Sequence, residues 1–332
     1  MESIPSRDAD VTTGEASPGR TGGGAHPDWS DRATALSWWP RFKISFVRGF
    51  LLMWVRLFGL DGLYRFGQFF GWCEFLVAYK RRRRVNVRIA QIFPEGIPAG
   101  RRRHIASRYF RRTRCDKMIY CIFDRIPADE FSRRIHFPRQ ALLDSLLARG
   151  KGVYVAMSHH GPHHVAAMIM AQLGYRLAGV RDRNESALRR FIQRKFAETF
   201  PAFAAVRMFF ADAFPRDIFR CYRENYVIAS ALDVDEDRVR DGRLRTTPVT
   251  LFGEQRPFLI GPIQMAQRCE APVLQGFVMA RRNFHYELVI RELLPEPDGD
   301  ASSAENLART VQQYADGIAE HVRRHPCHLT KI

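Results

Sequence analysis

From residue 140 onward, short apolar runs alternate with segments whose apolar positions recur every three or four residues. GVYVAMS (152–158), YRLAGVR (175–181), NYVIASALD (225–233), PVTLFG (248–253), APVLQGFVMA (271–280) and FHYELVIREL (284–293) read as strands. HHVAAMIMAQLG (163–174, capped by Gly174), SALRRFIQRKFAETF (186–200), PIQMAQRCE (262–270) and residues 303–323 read as helices. Strand and helix in alternation predict an α/β class: an α/β/α sandwich over a central, largely parallel sheet. No internal repeat interrupts the order.

The pattern upstream is different. Residues 1–35 are rich in Gly, Ser, Thr, Pro and Asp and have no apolar period, which predicts a disordered tail with no secretory signal. Residues 36–78 are dense in Trp, Phe and Leu, yet Arg48, Arg56, Asp61 and Arg65 break them up. The longest charge-free runs, Gly49–Val55 and Phe66–Cys73, fall far short of the ~20 residues a spanning helix needs. An arginine near a bilayer midplane costs about 2.5–3.5 kcal/mol. The expectation is therefore an interfacial membrane-associating helical hairpin. Residues 79–332 make the remaining domain, with a basic helical part over 79–139 and the α/β core over 140–332.

Charge sharpens this division. The 332 residues carry 52 Lys+Arg against 35 Asp+Glu, a net charge of +17, and all but six of the cations are arginines. The tail is acidic, whereas residues 76–139 alone hold 18 basic and five acidic side chains. A basic block following an aromatic amphipathic one suits an anionic lipid surface, where each cation near the headgroups contributes roughly 1 kcal/mol. An acidic protein would also be attracted. Nucleic acid is not the expected partner, since no RRM, KH or helix-turn-helix pattern is present. The six cysteines form no CxxC pair and read as reduced thiols rather than a disulfide framework or zinc site.

The one dense polar cluster is SHHGPHH, Ser158 to His164, between a strand and the helix after it. The C-terminal ends of strands are where α/β sheets bind ligands. His159 and His163 are four apart, as are His160 and His164, but Pro162 prefers a first helical turn, so a helical metal clip is weakly supported. No HExxH glutamate is present either, and no metal is expected. The alternative chemistry is a general-base histidine held by an orienting partner.

Residues 152–196 resemble the core of the lipid A biosynthesis (lauroyl/myristoyl) acyltransferase family of bacterial inner membranes. His159 falls on that family's catalytic His, Gly161 on its Gly, and Val180–Arg181 on its Tyr-Arg. RRRRVNVRIAQIFPEGIPAGRRRHIASRYFRR, PVTLFG, PFLIGPIQMAQRCEAPVLQGFV and His325–Pro326 follow the family in order, so the likeness spans about residues 40–328. It implies an enzyme at the cytoplasmic face of the inner membrane, moving a fatty acyl chain from acyl carrier protein to a hydroxyl of a glycolipid (lipid A-like) or related amphiphile. No cofactor is implied. His159 would be the base, with Arg181, Gly161, His160 and His163 about the substrate.

The family's motif is His, four residues, then Asp or Glu. Here His164 stands where the acid should be, and a neutral imidazole brings no negative charge. Asp233, at the end of the strand NYVIASALD and followed by Asp235, Glu236 and Asp237, is the expected replacement. Two rivals to the enzyme are a silent relative that binds lipid or carrier protein and, more distantly, a metal-dependent hydrolase.

Overall fold

A computed structural model describes residues 38–181, 187–210, 215–233, 244–293 and 304–329. The tail expected over 1–35 and the acidic residues 235–237 lie outside the described residues.

In chain order the helices are α1 (Trp38–Val77), α2 (Tyr79–Ile92), α3 (Ala99–Ile122), α4 (Ala128–Ser132), α5 (Gln140–Leu147), α6 (Ala166–Gln172), α7 (Ala187–Thr199), α8 (Pro201–Ala204), α9 (Pro215–Arg223), α10 (Gly261–Arg268) and α11 (Ala304–Arg324). The strands are β1 (Ile135–His136), β2 (Val153–Met157), β3 (Leu177–Arg181), β4 (Arg207–Phe210), β5 (Val227–Ala231), β6 (Thr246–Leu251), β7 (Glu254–Leu259), β8 (Val273–Ala280) and β9 (Tyr286–Glu292). Seven strands form one sheet in the order β1-β9-β8-β2-β5-β3-β4, and β6 and β7 form a separate antiparallel hairpin. Every pairing in the large sheet is parallel except β8 with β9, where five residues leave no room for a crossover.

The sheet is covered on both faces, as the alternation along β2 shows. Tyr154 and Ala156 join one apolar cluster with Val85 and Ile89 of α2, Tyr222 of α9, Ile263 of α10 and Val311 and Ile318 of α11. Val153 and Val155 join the other, with Leu51 and Leu63 of α1, Leu143 of α5, Ile169 of α6 and Phe196 of α7. Neighbouring residues of a strand point to opposite faces, so one short apolar strand feeds both layers. The α/β/α sandwich expected from the sequence is thus the observed architecture. The basic helices are part of it: Ile105 and Phe110 of α3 enter the first cluster, Met118 and Ile122 the second.

The aromatic segment forms two helical arms. Gly59 has φ 67° and ψ −179°, a conformation that breaks α1 and that a side chain would resist. Phe50 and Phe66 have ring centroids 5.9 Å apart, and Trp54 and Phe66 4.5 Å. A straight helix would separate positions 50 and 66 by about 24 Å, so the arms fold back on each other. No helix among the described residues is long and apolar enough to cross a membrane. The second arm lies against α3 through two glycines a helical turn apart. A Cβ on Gly67 would meet Cys115 Sγ at 2.8 Å, and one on Gly71 would collide with the Arg111 Cα. Glu74, beyond this contact, pairs with both Arg81 and Arg114 and ties the arm to α2 and α3.

Backbone against backbone leaves Gly71 no means of relaxing. Gly71→Ala should lower stability by about 1–3 kcal/mol through overpacking, read from denaturant unfolding. Gly49→Ala in the first arm, where a Cβ meets nothing within 4 Å, should leave stability equal or higher, by up to about 1 kcal/mol from helix propensity.

Candidate active site

The centre of the site follows from strand register. β2 and β5 are parallel neighbours paired Met157 with Ala231. His159 and Asp233 each lie two residues past those ends, so both side chains emerge at the same sheet edge about one strand spacing apart. His159 Nδ1 lies 2.8 Å from Asp233 Oδ2. An ionised carboxylate can only accept, so the imidazole donates from Nδ1 and carries its lone pair on Nε2. The His159 side chain is 46% exposed and that of Asp233 17%. The imidazole can be reached from outside while its partner is shielded.

Asp233 is held in turn. Its backbone bridges to Phe258 of β7. Tyr314 of α11, fully buried, donates to the Met157 carbonyl at 2.6 Å and has Asp233 Oδ1 at 3.3 Å. One phenol thus links the end of β2 to the carboxylate. Burial first, then the negative charge of Asp233, pushes the Tyr314 hydroxyl well above its usual range, so it stays a proton donor. Sequence reasoning missed Tyr314, because a tyrosine in the buried stripe of an amphipathic helix carries the same pattern as an ordinary core residue.

The turn after His159 requires glycine. Gly161 has φ 80°, and a Cβ there would meet the Val278 carbonyl oxygen at 2.9 Å and His328 Nδ1 at 3.0 Å. Pro162 follows, then a turn of 3₁₀ helix over His163–Val165, and α6 starts only at Ala166. The histidine pairs spaced by four therefore do not share an α-helical face. Among the described residues no group of three or more His, Cys, Asp or Glu could hold a metal ion.

The other histidines of the cluster, expected about the substrate, take three separate positions. His160 is buried, its Nδ1 2.8 Å from Ser158 Oγ, and Ser158 Oγ also accepts from the His160 backbone N–H at 3.1 Å. It closes the turn from inside, facing the protein and not the solvent side that His159 occupies. His163 stands edge-on to His159 with ring centroids 5.1 Å apart, and its Nδ1 is buried with no hydrogen-bond partner. His164 reaches inward, its Nε2 3.5 Å from the Asp116 carbonyl oxygen and its ring edge-on to Tyr120. Arg181 ends β3, two strands from β2, and its side chain lies outside the described residues.

The sequence profile of the bacterial lipid A biosynthesis acyltransferases matches residues 32–330. The chain belongs to this family. No curated protein matches it. For an acyltransferase of this family the geometry supplies an exposed imidazole oriented at Nδ1 by a carboxylate that the neighbouring strand brings.

The buried histidines make the fold acid-sensitive. Burial above all lowers the pKa of His160 to about 4 and that of His321, stacked flat on Phe277, to about 3. Burial likewise holds His163 and His328 well below 6.5. In the unfolded chain these groups titrate near 6.5. Below that pH the unfolded state binds more protons, so stability is complete above about pH 6.5 and falls on acidification, by about 1.4 kcal/mol per pH unit for each such histidine. Asp116 opposes this: burial pushes its carboxyl up to about 6, so its contribution is fully present at low pH and is lost as pH rises through 6. Denaturation midpoints should drop between pH 7 and pH 5, and His321→Gln should make the drop shallower.

Proposed function

We propose that the protein transfers a fatty acyl chain from acyl carrier protein to a hydroxyl of a glycolipid or related amphiphile, with His159 as general base and Asp233 as its orienting partner. The observation that carries this reading is the 2.8 Å contact between His159 Nδ1 and Asp233 Oδ2 at paired strand ends, in a chain of an acyltransferase family. His159 Nε2 takes the proton of the acceptor hydroxyl as its oxygen attacks the thioester carbonyl. The tetrahedral intermediate collapses, the C–S bond breaks, and the imidazolium returns the proton to the departing thiolate. Asp233 stabilises the imidazolium while it exists, a role that neutral His164 fills poorly because it carries no negative charge. Arg181, at the end of β3, is assigned to a phosphate of the acceptor or carrier or to the thioester oxyanion.

A membrane surface at the cytoplasmic face of the inner membrane is the setting we assign. The first arm of α1 exposes Trp38, Trp39, Phe42 and Phe46 as a stacked row, and the second exposes Phe69, Phe70 and Trp72. Aromatic side chains of this kind favour the headgroup level of a bilayer. Exposed arginines at 101, 102 and 103 supply charge for anionic lipid and for an acidic carrier.

Transfer of a labelled acyl group from acyl carrier protein to total lipid extract tests the chemistry. His159→Ala should abolish it, and Asp233→Asn should cut turnover by roughly 10²–10⁴. Tyr314→Phe should cost less, and His164→Ala less than Asp233→Asn. No transfer by the wild type, together with a gain in His164→Glu, would make the protein a silent binder instead.

Flotation with anionic vesicles tests the setting. Deleting residues 1–35 should leave binding intact and deleting 1–78 should weaken it. High salt should partly release the full chain, because the basic contacts are screened. Resistance to both salt and alkaline carbonate would point to insertion across the bilayer.

A further inference from the structure

β8 and β9 are antiparallel, and their pairing sets Gln275 directly opposite Arg291. Both side chains rise from the sheet face that α11 covers. Gln275 is fully buried, an unusual place for a side-chain amide. Its Oε1 accepts from Arg291 Nε at 2.6 Å, and its Nε2 donates to the Tyr314 carbonyl at 2.8 Å. Arg291 Nη2 donates to the neighbouring Gln313 carbonyl at 3.0 Å, and Nη1 reaches Glu320 Oε2 at 3.3 Å. Two cross-strand partners thus hold two consecutive carbonyls in the middle of one helix.

Inside a helix each carbonyl already accepts the N–H four residues on, so the side chains take the second lone pair. Room for them comes from Gly317. A Cβ there would collide with Arg291 Nη2 and with Gln275 Oε1. Glycine is the poorest helix former after proline, yet it stands in the buried stripe of a 21-residue helix. Adhesion alone requires none of this, because apolar side chains of the same shape would hold the helix to the sheet about as firmly. What bonds directed at two particular carbonyls add is register. A slip of one residue turns a helix by about 100° and moves it by about 1.5 Å, and the planar guanidinium fork does not tolerate such a change.

The helix fixed in this way carries Tyr314, whose hydroxyl lies 2.6 Å from the Met157 carbonyl oxygen and 3.3 Å from Asp233 Oδ1. The carbonyl that Gln275 holds and the hydroxyl that meets Asp233 are two ends of the same residue. We propose that Gln275 and Arg291, seated over Gly317, are positioning residues of the His159–Asp233 pair and act through Tyr314. Groups of a working site have to be held to within about 0.5 Å by the shell around them, and this buried polar pair is the part of that shell farthest from the imidazole. Its effect on turnover rests on the acyl-transfer reading, whereas its effect on the geometry of the pair does not.

The test uses substitutions in the full-length protein. Gln275→Glu keeps the side chain's shape and its acceptor for Arg291 but loses the donor to the Tyr314 carbonyl. Arg291→Lys keeps the charge and loses the fork. Ile318→Val removes one carbon from the same buried helix face and controls for plain destabilisation. Acyl transfer from the carrier protein is measured alongside the downfield Nδ1 proton resonance of His159, assigned by its loss in His159→Ala. Gln275→Glu and Arg291→Lys should each lower kcat about tenfold, leave KM for the carrier within about twofold, and displace or broaden the resonance. Ile318→Val should change neither. Tyr314→Phe/Gln275→Glu should be no slower than Tyr314→Phe alone, since both act through one hydroxyl. Additive losses in that double variant, or equal losses in Ile318→Val, would reduce Gln275 and Arg291 to general supports and overturn the proposal. An unmoved resonance in both variants would overturn it as well. A wild type that transfers nothing, yet whose resonance moves in both variants, removes the acyl-transfer reading and keeps the positioning.

Discussion

A carboxylate on one imidazole nitrogen fixes the ring's tautomer and orientation, and the fold supplies that contact with two parallel strands in register. Because Met157 pairs with Ala231, the residues two positions on are brought edge to edge, and the 2.8 Å contact of His159 with Asp233 follows. The surroundings protect this contact. Gly161 turns the chain where a side chain would collide with Val278 and His328, Ser158 and His160 lock the turn from within, and Tyr314 ties the carboxylate to the neighbouring strand end.

Much of this was legible in the sequence, for physical reasons that can be named. Strands of five or six apolar residues between amphipathic helices are the signature of a sheet buried on both faces, and the order of elements from residue 140 followed from it. Asp233 could be anticipated because a residue at a parallel strand's C-terminal end shares an edge with every other such residue. The family likeness, carried by His159, Gly161 and the collinear segments around them, is matched by the profile over residues 32–330.

What stayed hidden depends on contacts distant in sequence. The spacing within SHHGPHH does not tell the exposed His159 from the buried His160 or from His164, which turns to α3; in space the φ of 80° at Gly161 and the late start of α6 separate them. The basic run of α3 reads as a solvated face, yet Arg112 is largely buried beside Tyr286, a residue 174 positions further on. The fold-back of α1 was anticipated from its interrupting charges, while its position at Gly59 and its seat on α3 through Gly67 and Gly71 belong to backbone packing that hydropathy does not encode.

The two halves of the dyad are 74 residues apart in the chain, whereas the family's usual motif places them within six. A nascent chain that has emerged only as far as β2 therefore owns a histidine without its carboxylate. The contact forms only when β5 docks beside β2, so ordering the sheet and orienting the imidazole are one event, and under the proposed mechanism partly synthesised or partly unfolded molecules would hold an unoriented base.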